Sequence, residues 1–152
     1  MLHRIKQFTA LNSLEKKLFI EAYLTLGIMR FVILMVSFKR LVASLDHKQF
    51  SDESVTLNEN ESFIAQAVGR VVQKAANHTP WESACLVQTL TARKMLQKRN
   101  IPGRFYLGVA KGENASESMK AHAWLQCGNT IITGEEGHEQ FTVLSVFSWL
   151  NK

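Results

Sequence analysis

Between Asn100 and Gly103 the chain changes its period, and that change limits the fold more than any other feature. Before it, apolar side chains recur every three to four residues, the spacing that gives a helix one buried stripe. After it come FYLGVA (105–110), MKAHAWLQC (119–127) and TIIT (130–133), short runs of the kind that form half-buried strands. Pro102 and Gly103 suit a turn and cannot continue a helix. Helices followed by a small antiparallel sheet define an α+β chain, since parallel α/β folds alternate the two.

The helical part reads in four stretches. In LNSLEKKLFIEAYLTL, Leu14, Leu18, Tyr23 and Leu26 fall near helical spacing, with Asn12 or Ser13 as cap. Gly27 predicts a kink or break, followed by a second helix from Ile28 to Leu45. Residues 46–60 are polar and read as a linker. ESFIAQAVGRVVQKAANH carries a stripe of Ile64, Val68, Val71 and Val72, and the stretch after Trp81 places Cys85, Thr89, Ala92 and Leu96 along one helical line. In the C-terminal part, Gly128-Asn129 is a hairpin turn, the polar stretch KGENASES is a loop, and the apolar tail FTVLSVFSWL fits strand or helix.

A chain of 152 residues suits one compact unit, and 46% hydrophobic with 20% charged content excludes the disordered class. The net charge of +5 is concentrated in residues 1–48 and 81–111, but no helix-turn-helix, zinc finger or aromatic RNA-binding signature accompanies it, so no nucleic acid partner is expected. Cys85 and Cys127 form no CxxC or Cys/His cluster, so no disulfide framework, metal or cofactor is implied, and a reducing cytoplasm fits. In the apolar region 18–38, Glu21 and Arg30 leave uncharged runs of eight residues on each side. That is short of the roughly 20 a spanning helix needs, and membrane contact is not expected. These helices are expected to pack on the rest of the protein or on a partner.

Two residues bear on chemistry. Strand alternation puts His122 and Trp124 on one face and Ala121, Ala123 and Leu125 on the other. Cys85, near the start of its helix, would gain from the positive helix end and from an imidazole that takes its proton. Ser83 capping would place Cys85 in the first turn; Thr79-Pro80-Trp81-Glu82 read as a capping box would push it into the second, and a turn over 79–82 is preferred. By residue type alone, a lone helical cysteine is ordinarily a small buried hydrophobe and a lone strand histidine is structural. Cys127, at an odd offset from His122, is read as structural.

Taken together, CLVQTLTARKMLQKRNIPGRFYLGV and KAHAWLQCGNTIITG resemble the core of transglutaminase-like, papain-like cysteine enzymes, and more closely the B-type leader peptidases of lasso peptide biosynthesis. The resemblance rests on Cys85-Leu86, Asn100-Ile101-Pro102, Gly108-Val109 and His122-Ala123-Trp124, over roughly residues 80–145. It implies a nucleophile helix packed on a small antiparallel sheet, with 1–48 as an N-terminal helical region and 49–152 as the peptidase core. It implies a cysteine protease that removes the leader from a ribosomally made precursor peptide, with Cys85 as nucleophile and His122 as base and acid. The family's orienting aspartate has no counterpart here, because its place is taken by Gly134 with Glu135 and Glu136 following; Glu135 is the candidate third residue, with a backbone carbonyl or Asn129 as alternatives. The Cys85 backbone N–H is the expected oxyanion donor; the second donor is not placed, with Gln88, about one helical turn on, a candidate that is expected instead to face solvent. The chain resembles the peptidase half of a split system, so a separate leader-recognition protein is expected to dock on the helices of 14–45 or on the basic face of Arg93, Lys94, Lys98 and Arg99, beside an ATP-dependent lasso cyclase. A transglutaminase-like acyl transferase and a non-catalytic assembly partner of that cyclase are the alternative functions.

Overall fold

The computed structural model describes residues 12–45, 56–112 and 118–149. Its first helix, α1, spans Ser13–Met35 and starts at a capping box: Asn12 Oδ1 accepts from the Glu15 N–H at 2.8 Å, and the Glu15 carboxylate accepts from the Asn12 N–H. The break predicted at Gly27 does not occur. Gly27 is helical, and its missing Cβ leaves room for Trp81, whose ring would come within 3.3 Å of one. The helix ends instead at Val36, and a short α2, Phe38–Ser44, follows where one helix from Ile28 had been expected.

A second capping box, between Asn58 and Glu61, opens α3 at Glu59–Ala76, two residues inside the segment read as linker; residues 46–55 of that segment lie outside the described residues. Helix α4 spans Cys85–Lys98. It closes in a Schellman arrangement, with Asn100 left-handed at φ 54° and the N–H groups of Ile101 and Asn100 returning to the carbonyls of Leu96 and Gln97.

Strands β1 (Gly103–Ala110), β2 (Lys120–Cys127), β3 (Thr130–Thr133) and β4 (Thr142–Trp149) form one antiparallel sheet in the order β3-β2-β1-β4. Residues 113–117 of the expected loop are outside the described residues. The tail is therefore a strand, because pairing with β1 satisfies its backbone and sends Phe147 inward to meet Phe105 edge to face at 6.0 Å. Both rings are fully buried, each contributing about 2 kcal/mol of apolar burial. Trp149 fastens the same strand end by donating Nε1–H to the Ile101 carbonyl at 2.7 Å.

One face of the sheet, carrying Phe105, Ala123, Leu125, Cys127 and Phe147, joins the helices in a single core with Leu18, Ala22 and Leu26 of α1 and Val68, Val71 and Val72 of α3. The molecule is thus a mixed helical and antiparallel α+β fold, with α4 lying on the sheet and α3 against β3. By length and composition α1 could cross a membrane, unlike the interrupted segment read from the sequence, but its inward face is packed on α3 and α4.

Candidate functional site

Helix α4 begins without a side-chain cap. Its N-cap is Ala84, with no acidic residue in the first turn, whereas α1 and α3 each open on an asparagine. Ser83, expected as the cap, instead shares a hydrogen bond with Thr79, whose hydroxyl also lies 2.9 Å from the carbonyls of Ala76 and Trp81 and ties the 79–83 turn together. Cys85 consequently occupies the first helical position. The first N–H groups of a helix have no partner within it, and here no cap side chain occupies them. An alanine cap costs about 1 kcal/mol against serine or asparagine.

His122 reaches the same place from the sheet. It lies on the face opposite the core, shared with Tyr106 and Trp124, which stack flat at 5.3 Å. Gly108 is its partner on β1, and the bare glycine admits the Trp124 ring and Phe141 close above that position. The imidazole lies 5.0 Å from the Phe141 ring and 5.9 Å from the Trp124 ring, so its plane is confined by aromatic neighbours. Strand β3 pairs with β2 only from Leu125 onward, which leaves the β2 edge open at His122, and the chain leaving β3 at Gly134 turns back there. The Nε2 of His122 lies 2.8 Å from the Gly134 carbonyl. Because a carbonyl only accepts, Nε2 carries a proton, so the lone pair of a neutral ring would lie on Nδ1.

A cavity of about 600 Å³ joins these groups. Cys85 and Gln88 of α4, His122 of β2, Gly69 and Gln73 of α3, the β3 residues Ile131 to Thr133, and Gly134, Glu135 and Glu136 line it. All three candidate residues, Cys85, His122 and Glu135, therefore open onto one space, while the imidazole donates its hydrogen bond to the Gly134 carbonyl and the Glu135 side chain stands exposed at the mouth. Gln88 does not face solvent as expected. Its side chain donates to the Ser83 carbonyl at 2.7 Å, which holds the amide in the cavity beside Cys85.

One turn into α4, Thr89 locks the helix onto the sheet. Its buried hydroxyl donates to the Ala123 carbonyl at 3.3 Å and lies 3.1 Å from the Thr133 hydroxyl, which must then donate to it. This clamp sits one turn from Cys85 and one residue from both His122 and Gly134. The second cysteine is chemically separate: Cys127 is buried in the core, and desolvation pushes its thiol from 9.0 up to about 12. Among the described residues no group of three or more His, Cys, Asp or Glu side chains could hold a metal ion.

Sequence reading does not identify Gly134 or Phe141 as parts of this site, and it offers Gln88 as a candidate donor while expecting it to face solvent. The pattern that could have pointed to Gly134 is a glycine directly after TIIT, where a chain leaving a strand often needs a positive φ. Comparison with known proteins gives one family: the model of the transglutaminase-like superfamily matches residues 28–146, from within α1 to β4 and more than half of the chain. No curated protein and no solved structure matches.

Proposed function

Because the chain belongs to the transglutaminase-like superfamily, which includes cysteine proteases and acyltransferases, we propose that it is a cysteine peptidase that removes the leader from a ribosomally made lasso precursor peptide. The observation that carries this reading is the meeting of an uncapped helix start bearing Cys85 with an imidazole whose Nδ1 is left as a base, in one cavity. The narrower assignment draws on the Cys-Leu, Asn-Ile-Pro, Gly-Val and His-Ala-Trp sequences and their order along the chain.

In this mechanism Nδ1 of His122 takes the Cys85 proton as sulfur attacks the last leader carbonyl. The oxyanion is met by the free Cys85 N–H and by Gln88, whose amide has a second N–H beyond the one held by Ser83. The imidazolium returns the proton to the leaving amine, which becomes the new N-terminus of the core peptide. Water, deprotonated by the same histidine, then hydrolyses the leader thioester. The freed amine is the group an ATP-dependent lasso cyclase joins to an acidic side chain.

A separate recognition protein would bring the leader, and α1 is the better of its two candidate docking faces. The basic face is largely engaged within the molecule: Arg99 and Lys98 pair with Glu21, and Arg93 lies 5.5 Å from the centre of the Trp149 ring. The outward face of α1 exposes Ile20, Leu24, Ile28, Phe31, Leu34 and Met35, each more than half accessible, an extent of apolar surface that marks a contact site. A groove of about 340 Å³ lined by Tyr23, Leu24, Gly27, Ile28, Phe31 and Trp81 could receive an apolar side chain there.

The test is incubation with a candidate precursor and its recognition protein, read by mass spectrometry. Hydrolysis yields leader and core whose masses together exceed the precursor by one water, and both Cys85→Ala and His122→Ala abolish it. A leader carrying the added amine with the core peptide released, or a precursor carrying it with loss of ammonia, would mean acyl transfer, and lasso product formed with Cys85→Ala would mean a non-catalytic partner.

A further inference from the structure

We propose that Gly134 is the positioning residue for His122, and that its main-chain carbonyl does the work a side-chain carboxylate does elsewhere. The proposal rests on the reading that Cys85 and His122 are the reactive pair, and it adds what holds that pair in register.

The argument begins with the backbone. Gly134 has φ +73°, a conformation that residues with a Cβ rarely adopt. A Cβ there would lie 2.4 Å from the Ala123 carbonyl and 2.9 Å from the Trp124 Cβ, both on β2 beside His122. The glycine therefore lies flat on the strand that carries the histidine, and this close approach brings its carbonyl to Nε2 at 2.8 Å. A carboxylate on a side chain at 134 has no room, since its first carbon would already collide with the strand.

The following turn anchors that carbonyl from the other side. The Glu135 carbonyl accepts from the His138 backbone N–H at 3.3 Å and from its Nδ1–H at 2.6 Å, and Gly137 completes the turn at φ +72°. The His138 ring lies 5.7 Å from the Trp124 ring. The loop is thus tied to itself and leans on the same tryptophan that flanks His122. The Glu135 backbone is committed to this turn while its side chain stands at the cavity mouth. Orientation of the imidazole is then a property of main-chain geometry: the carbonyl accepts from Nε2–H, which leaves the lone pair of a neutral ring on Nδ1, and it still accepts from Nε2–H when the ring is charged.

Nuclear magnetic resonance of the wild-type protein with isotopically labelled histidine and glycine decides the matter, with His122→Gln for assignment. At alkaline pH, where imidazole is neutral, the expected result is an Nε2–H proton protected from exchange and coupled through the hydrogen bond to the Gly134 carbonyl carbon. A proton on Nδ1, or absence of that coupling, overturns the proposal. Gly134→Ala is expected to erase the signal and lower kcat roughly 10- to 100-fold with little change in KM. A folded Gly134→Ala with wild-type kcat overturns the proposal; if this variant does not fold, the wild-type spectrum alone decides. If Glu135→Gln erases the signal, the carboxylate is the orienting group and the proposal fails. Failure of the peptidase reading looks different: cleavage that survives Cys85→Ala, with the His122 to Gly134 coupling intact.

Discussion

At the scale of single residues the protein separates two thiols by environment. Cys85 is half-buried at a helix start and opens onto the cavity; Cys127 is buried among core side chains and its thiol is pushed up to about 12. Thiolate is the species that alkylates, and near pH 8 the Cys127 thiol is almost wholly protonated as well as shielded. Treatment of the folded protein with iodoacetamide should therefore add one group, at Cys85, and two only after denaturation. Intact-mass and peptide mass spectrometry would show this, and a folded protein alkylated at Cys127 would contradict the burial described above. The same contrast explains why residue type alone could not rank the cysteines, since burial depends on the side chains that tertiary folding brings around each one.

At the scale of elements, the candidate residues Cys85 and His122 stand on α4 and on β2, so their geometry depends on how firmly helix and sheet are joined. The Thr89 clamp is that joint nearest the site. Thr89→Val keeps the shape but leaves the Ala123 carbonyl and the Thr133 hydroxyl without their buried partner, an expected loss of about 1 to 3 kcal/mol in chemical denaturation. Thr89→Ser should recover most of it. A stability unchanged by Thr89→Val would show that the hydrogen bonds do not hold the helix. The helix line Cys85, Thr89, Ala92 and Leu96 was legible in the sequence, and in the structure its last three members are buried. That a threonine on this line should carry a polar lock and not simply fill space was not legible, because its partners lie 34 and 44 residues away.

At the scale of the whole molecule, the long first helix is fastened to the C-terminal end of α4 by the ion pair of Glu21 with Arg99, at 2.6 Å and 3.1 Å, with Lys98 beside it. The hydrogen bond from Arg99 holds the Glu21 carboxyl below its ordinary 4.5. A group whose folded value is depressed contributes stability above the unfolded value and loses it as pH falls through the folded one. Stability should accordingly be complete at neutral pH and fall once pH drops below about 4.5. Glu21→Gln should cost about 1 kcal/mol at neutral pH, in keeping with a partly exposed pair, and flatten the acid-side loss. Thermal unfolding of both proteins across pH would reveal it, and parallel curves would rule it out. The pair also gives two members of the basic face an internal partner, so the positive charge of that helix does not by itself mark a binding surface.

The sequence by itself determined the α+β division at Asn100–Gly103, the capped start of α1 at Asn12, the hairpin at Gly128-Asn129 and the residue types able to do thiol chemistry, because these follow from local periodicity, turn stereochemistry and side-chain identity. Only the tertiary structure decided that α1 runs through Gly27 to make room for Trp81, that the tail joins the sheet at β1, that Gln88 turns into the cavity and that His122 is held by a glycine carbonyl. Each of these depends on a contact between distant segments. The last involves a backbone oxygen that every residue possesses, so no side-chain pattern could announce it.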